Sequence, residues 1–558
     1  MHHARITRWA LGVALLLALT ACDKREGEAL SGAAPGADGR REAPLFKDLG
    51  NHQHPVTTRS TRAQQYFNQG LILAFAFNHA EAVRSFQAAQ QHDPDCAMCY
   101  WGEALALGPN INAPMFPEAV PRAWAALQQA QARASLVSPR EQAYIRALAA
   151  RYREQAPEDR SGLDRDYRDA MRKLVEQYPD DLDAAALYAE AIMDTTAWNY
   201  WEPDGDPGPQ TEELLRVLEG VLREAPDHPL ALHLYIHAVE ASPNPARAEA
   251  AADRLLNLVP GAGHLVHMPA HIYMRLGRYA DASAANERAA QADESYITQC
   301  RAQGFYPAAY YPHNVHFLWW AATAEGRSAA AIGAARKLTE LVTPETVRQF
   351  AVVEPLLAVP QLALIQFGRW DEALAEAQPP AEFPLATALV HYAQGTALAA
   401  KGDLPKAAQK LEALRLLRRT AKWDAYAVYQ VPAAQMAEIA ELLLDADLRL
   451  RSGDKGGGLE RLRTAIEKQD ALPYMEPPYW DYSIRQSLGK ALLTLGLARE
   501  AEQVYREDLR RHPRNGWSLF GLEQALRAQG KTAAAAEVKG RFERAWARAD
   551  VKLAASRY

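Results

Sequence analysis

Cysteine is nearly absent. With 4 in a chain of 558 residues, no disulfide framework can exist, which excludes a small stapled scaffold. An excess of one charge is also missing: 62 Lys and Arg stand against 68 Asp and Glu, a formal net charge of -6, so no electrostatic footprint for nucleic acid is present. The common enzymatic signatures are absent too. There is no G-x-x-x-x-G-K-[ST], no H-E-x-x-H, no G-x-S-x-G and no G-x-G-x-x-G between a strand and a helix, and the reading leans away from an enzyme. What remains is an ordinary globular composition, 49 % hydrophobic and 23 % charged, neither disordered nor collagen-like. A single core stops growing at about 250 to 300 residues, so a chain this long must divide into domains or repeat a small unit.

Residues 1–21 read as an address. His2, His3, Arg5 and Arg8 make a polar, basic start, and Trp9 to Ala21 is an apolar run. That run is too short for a stable span, which needs about 20 apolar residues. Leu19-Thr20-Ala21-Cys22 closes it and resembles the lipobox of a bacterial lipoprotein signal. The resemblance implies cleavage before Cys22, acyl chains on Cys22 inserted in the lipid bilayer, and a protein held in the bacterial cell envelope facing the periplasm. Asp23 resembles an inner-membrane retention signal, with the outer membrane as the alternative. Residues 23–45 are Gly, Ala, Pro and charge without an apolar period, and the stretch 22–60 is assigned to the lipidated Cys22 and a flexible tether.

From residue 61 the chain becomes Ala-rich and repetitive. Tyr66, Gly70, Leu73, Ala82, Phe86, Ala89 and Pro94 stand at the spacing of the 34-residue tetratricopeptide unit, two helices crossing on small residues with a proline after the second. The clearest tandem begins at Pro229 and Gly263, and the phase resumes at Pro312. Later units turn at Gly326, Gly368, Gly402 and Gly496. Such units bury their apolar faces only against neighbours, so the expected fold is an all-α tetratricopeptide solenoid, a right-handed superhelix with a concave inner surface. It divides into an N-terminal solenoid over 61–343, a C-terminal solenoid over 344–545 and a tail, 546–558. Blocks such as DPDCAMCYWGEALALGPNINAP, GAGHLVHMPAHIYMRLGRY and YYPHNVHFLWWAA resemble a group of exported bacterial tetratricopeptide lipoproteins, from about Leu45 to about Ala545. The resemblance implies fold and export but no established reaction.

The histidines carry the most information. Seven of the 16 lie between His233 and His316, where even spacing would put about two. In the unit starting at Pro229, His233 and His237 are at positions 5 and 9. In the unit starting at Gly263, His264, His267 and His271 are at 2, 5 and 9, and in that starting at Pro312, His313 and His316 are at 2 and 5. At about 100° per residue these positions form one stripe of the first helix, away from the packing stripe and lining the concave groove. Neighbouring helices pack about 8 to 10 Å apart, so imidazoles of successive units can converge. Glu190, Asp194 and Glu240 offer carboxylates nearby, and His52 and His54 read as solvated loop residues, with threading back into the groove as the alternative. This donor set suits Zn, Cu, Fe or Ni.

Two functions fit. The first is transition-metal binding in the groove, for handling, delivery or as a catalytic centre in which a carboxylate acts on metal-bound water. The second is a metal-free scaffold that clasps a peptide or partner protein in an envelope complex. Cys96 and Cys99 begin a helix with no preceding strand, which favours a local disulfide or buried thiols over a redox role and leaves Cys300 over. Two aromatic clusters, Trp198, Tyr200 and Trp201, and Tyr474, Tyr479, Trp480 and Tyr482, read as packing under long loops, with the lining of a ligand channel as the alternative.

Overall fold

The computed structural model describes residues 34–35, 41–300, 302 and 304–558, so the leader and Cys22 lie outside the described residues. Strand structure among the described residues amounts to Ala34–Pro35 paired antiparallel with Arg41–Glu42 and two isolated bridges. The rest of the regular structure is helical, and the protein is an all-α helical-repeat solenoid of tetratricopeptide type. No described helix is long and apolar enough to cross a membrane. Two compact units form: one runs to Ile272 and includes Arg288–Tyr311, the other comprises Tyr273–Glu287 and Pro312–Tyr558.

In the first unit, Thr61–Phe75 packs on His79–His92, Ala97–Ala106 on Ala119–Ala132, Pro139–Ala149 on Ser161–Gln177, Leu182–Thr195 on Thr211–Glu224, and Pro229–Glu240 on Glu249–Leu255. Gly263–His267 and Pro269–Leu276 follow. Only the step from 229 to 263 equals the 34-residue period, because loops after Ala106, Ala149 and Thr195 lengthen the earlier units. The helix starts are capped by short polar side chains: Ser60 accepts from Ala63 N–H, Asp181 from Ala184 N–H, and Ser138 forms a capping box with Glu141. The Phe86 ring is wedged between two first helices at their glycines. A Cβ on Gly70 would come within 2.8 Å of it and one on Gly102 within 2.3 Å. Small residues at the crossing therefore set how closely successive first helices approach.

In the second unit, Val359–Gln366 packs on Trp370–Ala375, Pro384–Ala400 on Leu404–Thr420, Ala433–Arg451 on Lys455–Asp470, Ile484–Thr494 on Ala498–Arg511, and Gly516–Ala528 on Thr532–Ala545. Ser328–Leu341 also packs on Val359–Gln366, so the stack continues through 343–344, where the sequence suggested a division. The same wedge recurs, with Tyr505 against Gly489 and Gly521. First helices end at Gly326, Gly368, Gly402 and Gly496, all with positive φ, and the next N–H bonds back over the turn, as Arg327 N does to Ala322 O at 3.0 Å. The terminal residues pack on this unit: Ser556 bonds Tyr505 Oη and Gln486 O, and the Arg557 guanidinium lies 3.6 Å from the Tyr482 ring centre.

The sequence suggested a tether up to residue 60, but residues 43–60 are a strap laid along successive helices of the first unit. Tyr66 Oη donates to Ala43 O, Phe46 N to Gln69 Oε1, Gly261 N to Asp48 O, His54 N to Asn68 Oδ1 and Val56 N to Gln64 Oε1. Thr57 donates from both N and Oγ1 to Glu141. Polar side chains of the first helices thus satisfy a non-helical backbone that would otherwise stay solvated.

Candidate metal centre

Five of the seven stripe histidines converge within the first unit, and all are buried: His233, His237, His264, His267 and His271 are each at most 2 % exposed. The expectation of open groove residues is corrected here. Phe77 lies 4.5 Å, centre to centre, from His233 and stacks on His237 and His264, while Tyr310 covers His264 at 4.7 Å, so aromatic rings replace water over the stripe. His233 and His237 stand on Pro229–Glu240, one turn apart. The next helix breaks between His267 and Pro269, since proline lacks the N–H that Leu265 O would accept. His271 nevertheless returns to within 2.9 Å of His267, Nε2 to Nε2.

The hydrogen bonds orient the imidazole nitrogens. His233 Nδ1 lies 2.7 Å from the Phe75 carbonyl oxygen, which can only accept, so Nδ1 carries the proton and Nε2 the lone pair. His237 Nδ1 lies 2.8 Å from Glu240 Oε1 and His271 Nδ1 2.6 Å from Glu240 Oε2, so one carboxylate sets both tautomers. His237 Nε2 has no hydrogen-bond partner and is buried. His233 Nε2 faces His264 Nε2 at 3.1 Å, and one ligand atom each of His233, His237 and His264 lies within 4.8 Å of the other two. Ligands about 2.0 to 2.1 Å from a tetrahedral cation stand a little over 3 Å apart, a spacing these pairs approach.

Burial and the neighbouring His237 hold the His233 pKa well below the usual imidazole value, and burial lowers that of His237 despite its bond to Glu240. Burial would raise the Glu240 pKa, but His271 and the hydrogen bonds from both imidazoles outweigh it and hold the carboxyl well below its usual range. The result is two neutral, lone-pair-bearing imidazoles, His233 and His237, beside an ionised carboxylate that orients His237, an arrangement that raises ligand basicity.

Two residues around this cluster carry strain. Phe77 has φ 56°, at the helix-turn position that Gly326, Gly368, Gly402 and Gly496 occupy in later repeats, and Asn78 N bonds back to Leu73 O as those turns do. Trp198, with φ 61°, sets its ring edge-on 5.2 Å from His237 while remaining 47 % exposed. A bulky residue in the left-handed region costs of order 1 kcal/mol or more and is retained where its side chain is needed. Phe77 is missing from the sequence-based set, yet an aromatic where other repeats carry glycine was a legible signal. For Trp198 the sequence offers a ligand channel or packing under a long loop, and its ring stands against His237.

Asp194 pairs with the buried Arg151 at 2.6 Å and Glu190 lies in the same field, so neither is placed as a ligand of the imidazole cluster. Burial, partly offset by Arg151, pushes the Glu190 pKa up to about 7 from 4.5. Between about pH 4.5 and 7 the folded protein therefore holds a proton that the unfolded chain has released, and stability falls as pH rises through that window. Glu190→Gln flattens this part of the profile, which urea unfolding at about pH 5 and 7.5 measures. His52 and His54 meet Asp183 instead of the five-histidine cluster. His313 and His316 belong to the second unit, where His313 packs edge-on to Phe317, and His316 stacks on Trp319 with its pKa pushed down to about 3 by burial. Cys96 and Cys99 are joined in a disulfide at the start of Ala97–Ala106, and Cys300 is a buried free thiol.

No family model and no curated protein matches the chain. Among solved structures, a human IFIT1 dimer with m7Gppp-AAAA aligns over 93 % of this chain and 99 % of its own at 13 % identity and a TM-score of 0.30. The TPR domain of P58(IPK) aligns over 84 % and 99 % at 12 % identity and 0.22, and Naa15/Naa10 bound to HypK-THB over 87 % and 89 % at 12 % identity and 0.24.

Proposed function

We propose that this protein is a metal-binding helical-repeat protein of the bacterial cell envelope, anchored through acyl chains on Cys22. The reading belongs with the exported tetratricopeptide lipoproteins that its sequence blocks resemble. The observation that supports metal binding best is the tautomer pattern: Phe75 O and Glu240 take the Nδ1 protons of His233 and His237, so the lone pairs of these two imidazoles sit on Nε2, where a cation can take them. An imidazole-rich, dry site favours Zn, Cu, Fe or Ni over Mg or Ca. Metal analysis of untagged, chelator-washed protein after reloading is the test. Near-stoichiometric metal in the wild type, lost from His233→Ala combined with His237→Ala at unchanged helicity, is the expected result. No retained metal in the wild type removes the reading.

A second reading, a scaffold for an extended peptide, has its own support. The strap shows that side chains of successive first helices, Gln64, Asn68, Glu141 and Asp183 among them, can satisfy an extended backbone and its polar groups. A wild-type protein that copurifies with a peptide and binds no metal favours it.

A further inference from the structure

The strap creates a second cluster that does not depend on the five-histidine reading. His52 and His54 are two residues apart on a non-helical backbone and reach the same carboxylate: His52 Nε2 lies 2.9 Å from Asp183 Oδ1, and His54 Nδ1 lies 2.7 Å from Asp183 Oδ2. His228 Nε2 approaches Oδ1 at 3.0 Å. His228 also caps its helix, accepting from Ala231 N–H at Nδ1 (3.3 Å), so its proton sits on Nε2 and is donated to Asp183. His228 is thus a positioning residue that holds the carboxylate. No second bond of that kind among the described residues fixes the rings of His52 and His54, so a cation can displace the proton facing Asp183 to the other ring nitrogen, and these two imidazoles and one carboxylate are left as ligands.

We propose that His52, His54 and Asp183 form a second divalent-cation site, a two-histidine, one-carboxylate set for a six-coordinate first-row ion such as Mn, Fe or Co. Its surroundings differ from those of the five-histidine cluster. The side chains of His52, His54 and Asp183 keep 20 %, 13 % and 12 % of their surface exposed. They line a cavity of about 860 Å³ whose other walls include Glu141, Tyr144, Asp181 and Arg140. Three protein ligands leave three positions of an octahedron, and the cavity gives water or a small oxygen-donor ligand room to fill them. Phe75 stands between the clusters: its ring lies 5.8 Å from that of His52 and 6.2 Å from that of His228, while its carbonyl accepts from His233.

Co(II) titration of the chelator-washed full chain, followed by visible absorption and dialysis, tests the assignment. The wild type is expected to bind an equivalent with the weak bands of six-coordinate cobalt. His52→Ala with His54→Ala, and separately Asp183→Asn, are expected to weaken that equivalent at least tenfold. His233→Ala with His237→Ala is expected to leave it in place, so failure of the five-histidine reading shows separately. An equal cobalt stoichiometry and spectrum in wild type and both strap-site variants overturns the site. So does a wild type whose cobalt is lost entirely in the His233/His237 variant. If Asp183→Asn does not fold, the exposed-side variant His52→Ala decides alone, because the strap's other hydrogen bonds keep residue 52 in place.

Discussion

Arg151→Met lowers the unfolding free energy by about 3 to 5 kcal/mol. Arg151 is 2 % exposed and donates to Asp194 Oδ2 at 2.6 Å and to Pro109 O at 2.7 Å, with its guanidinium 4.6 Å from the Tyr167 ring centre. It ties the loop after Ala97–Ala106 to Leu182–Thr195, two repeats on. Burial disfavours its charge, but Tyr152, Asp194, Tyr167 and Glu190 more than offset that, and its pKa rises. Methionine fills much of the volume while leaving Asp194 buried without a cation and the Pro109 carbonyl without its donor. A second change, Asp194→Leu, should restore more than half of the loss, because replacing both members of a buried pair removes the carboxyl that burial leaves without a partner. Denaturant unfolding of the three variants measures this, and a single-variant loss under about 1 kcal/mol contradicts the role assigned to Arg151.

The repeat architecture was legible because its signals are local. Glycines at the turns, small residues at the crossings and Phe86 opposite Gly70 and Gly102 all follow from spacing within one or two units. The histidine stripe was legible for the same reason: positions 2, 5 and 9 share a helix face whatever the neighbouring units do. Burial of that stripe was not legible. It depends on Phe77 and Tyr310, which stand outside the two repeats that supply the imidazoles. Nor could periodicity reveal the Asp183 cluster, whose partners lie 131, 129 and 45 residues away, or show that residues 43–60 would be bound as a strap in place of a loose tether. That Glu190 and Asp194 face Arg151 was not legible either, because a helix face carries no record of which basic residue faces it. Arg151 lies in a loop of the preceding repeat, outside any periodic pattern.

Glu240→Gln abolishes or sharply weakens metal retention by the five-histidine cluster without changing the helical content. Glu240 is 1 % exposed, and its two oxygens accept one Nδ1 proton each, from His237 and from His271. Glutamine keeps the shape but offers one acceptor and one donor. One imidazole keeps its proton on Nδ1, whereas the other must turn its Nδ1 lone pair to the amide N–H and carry the proton on Nε2, where it can no longer ligate. Removing an outer partner of a ligating histidine typically weakens metal binding by about 10- to 100-fold, and here the change also removes a ligand atom. Glu240→Ala is the harsher control: it strands two buried donors at about 1 to 3 kcal/mol each, so its melting temperature falls even in metal-free protein. A Gln variant that retains metal as the wild type does would show that the carboxylate does not set the tautomers. If the Gln and Ala variants both lose metal, with only Ala melting markedly lower, ligand orientation is separated from fold stability at one residue.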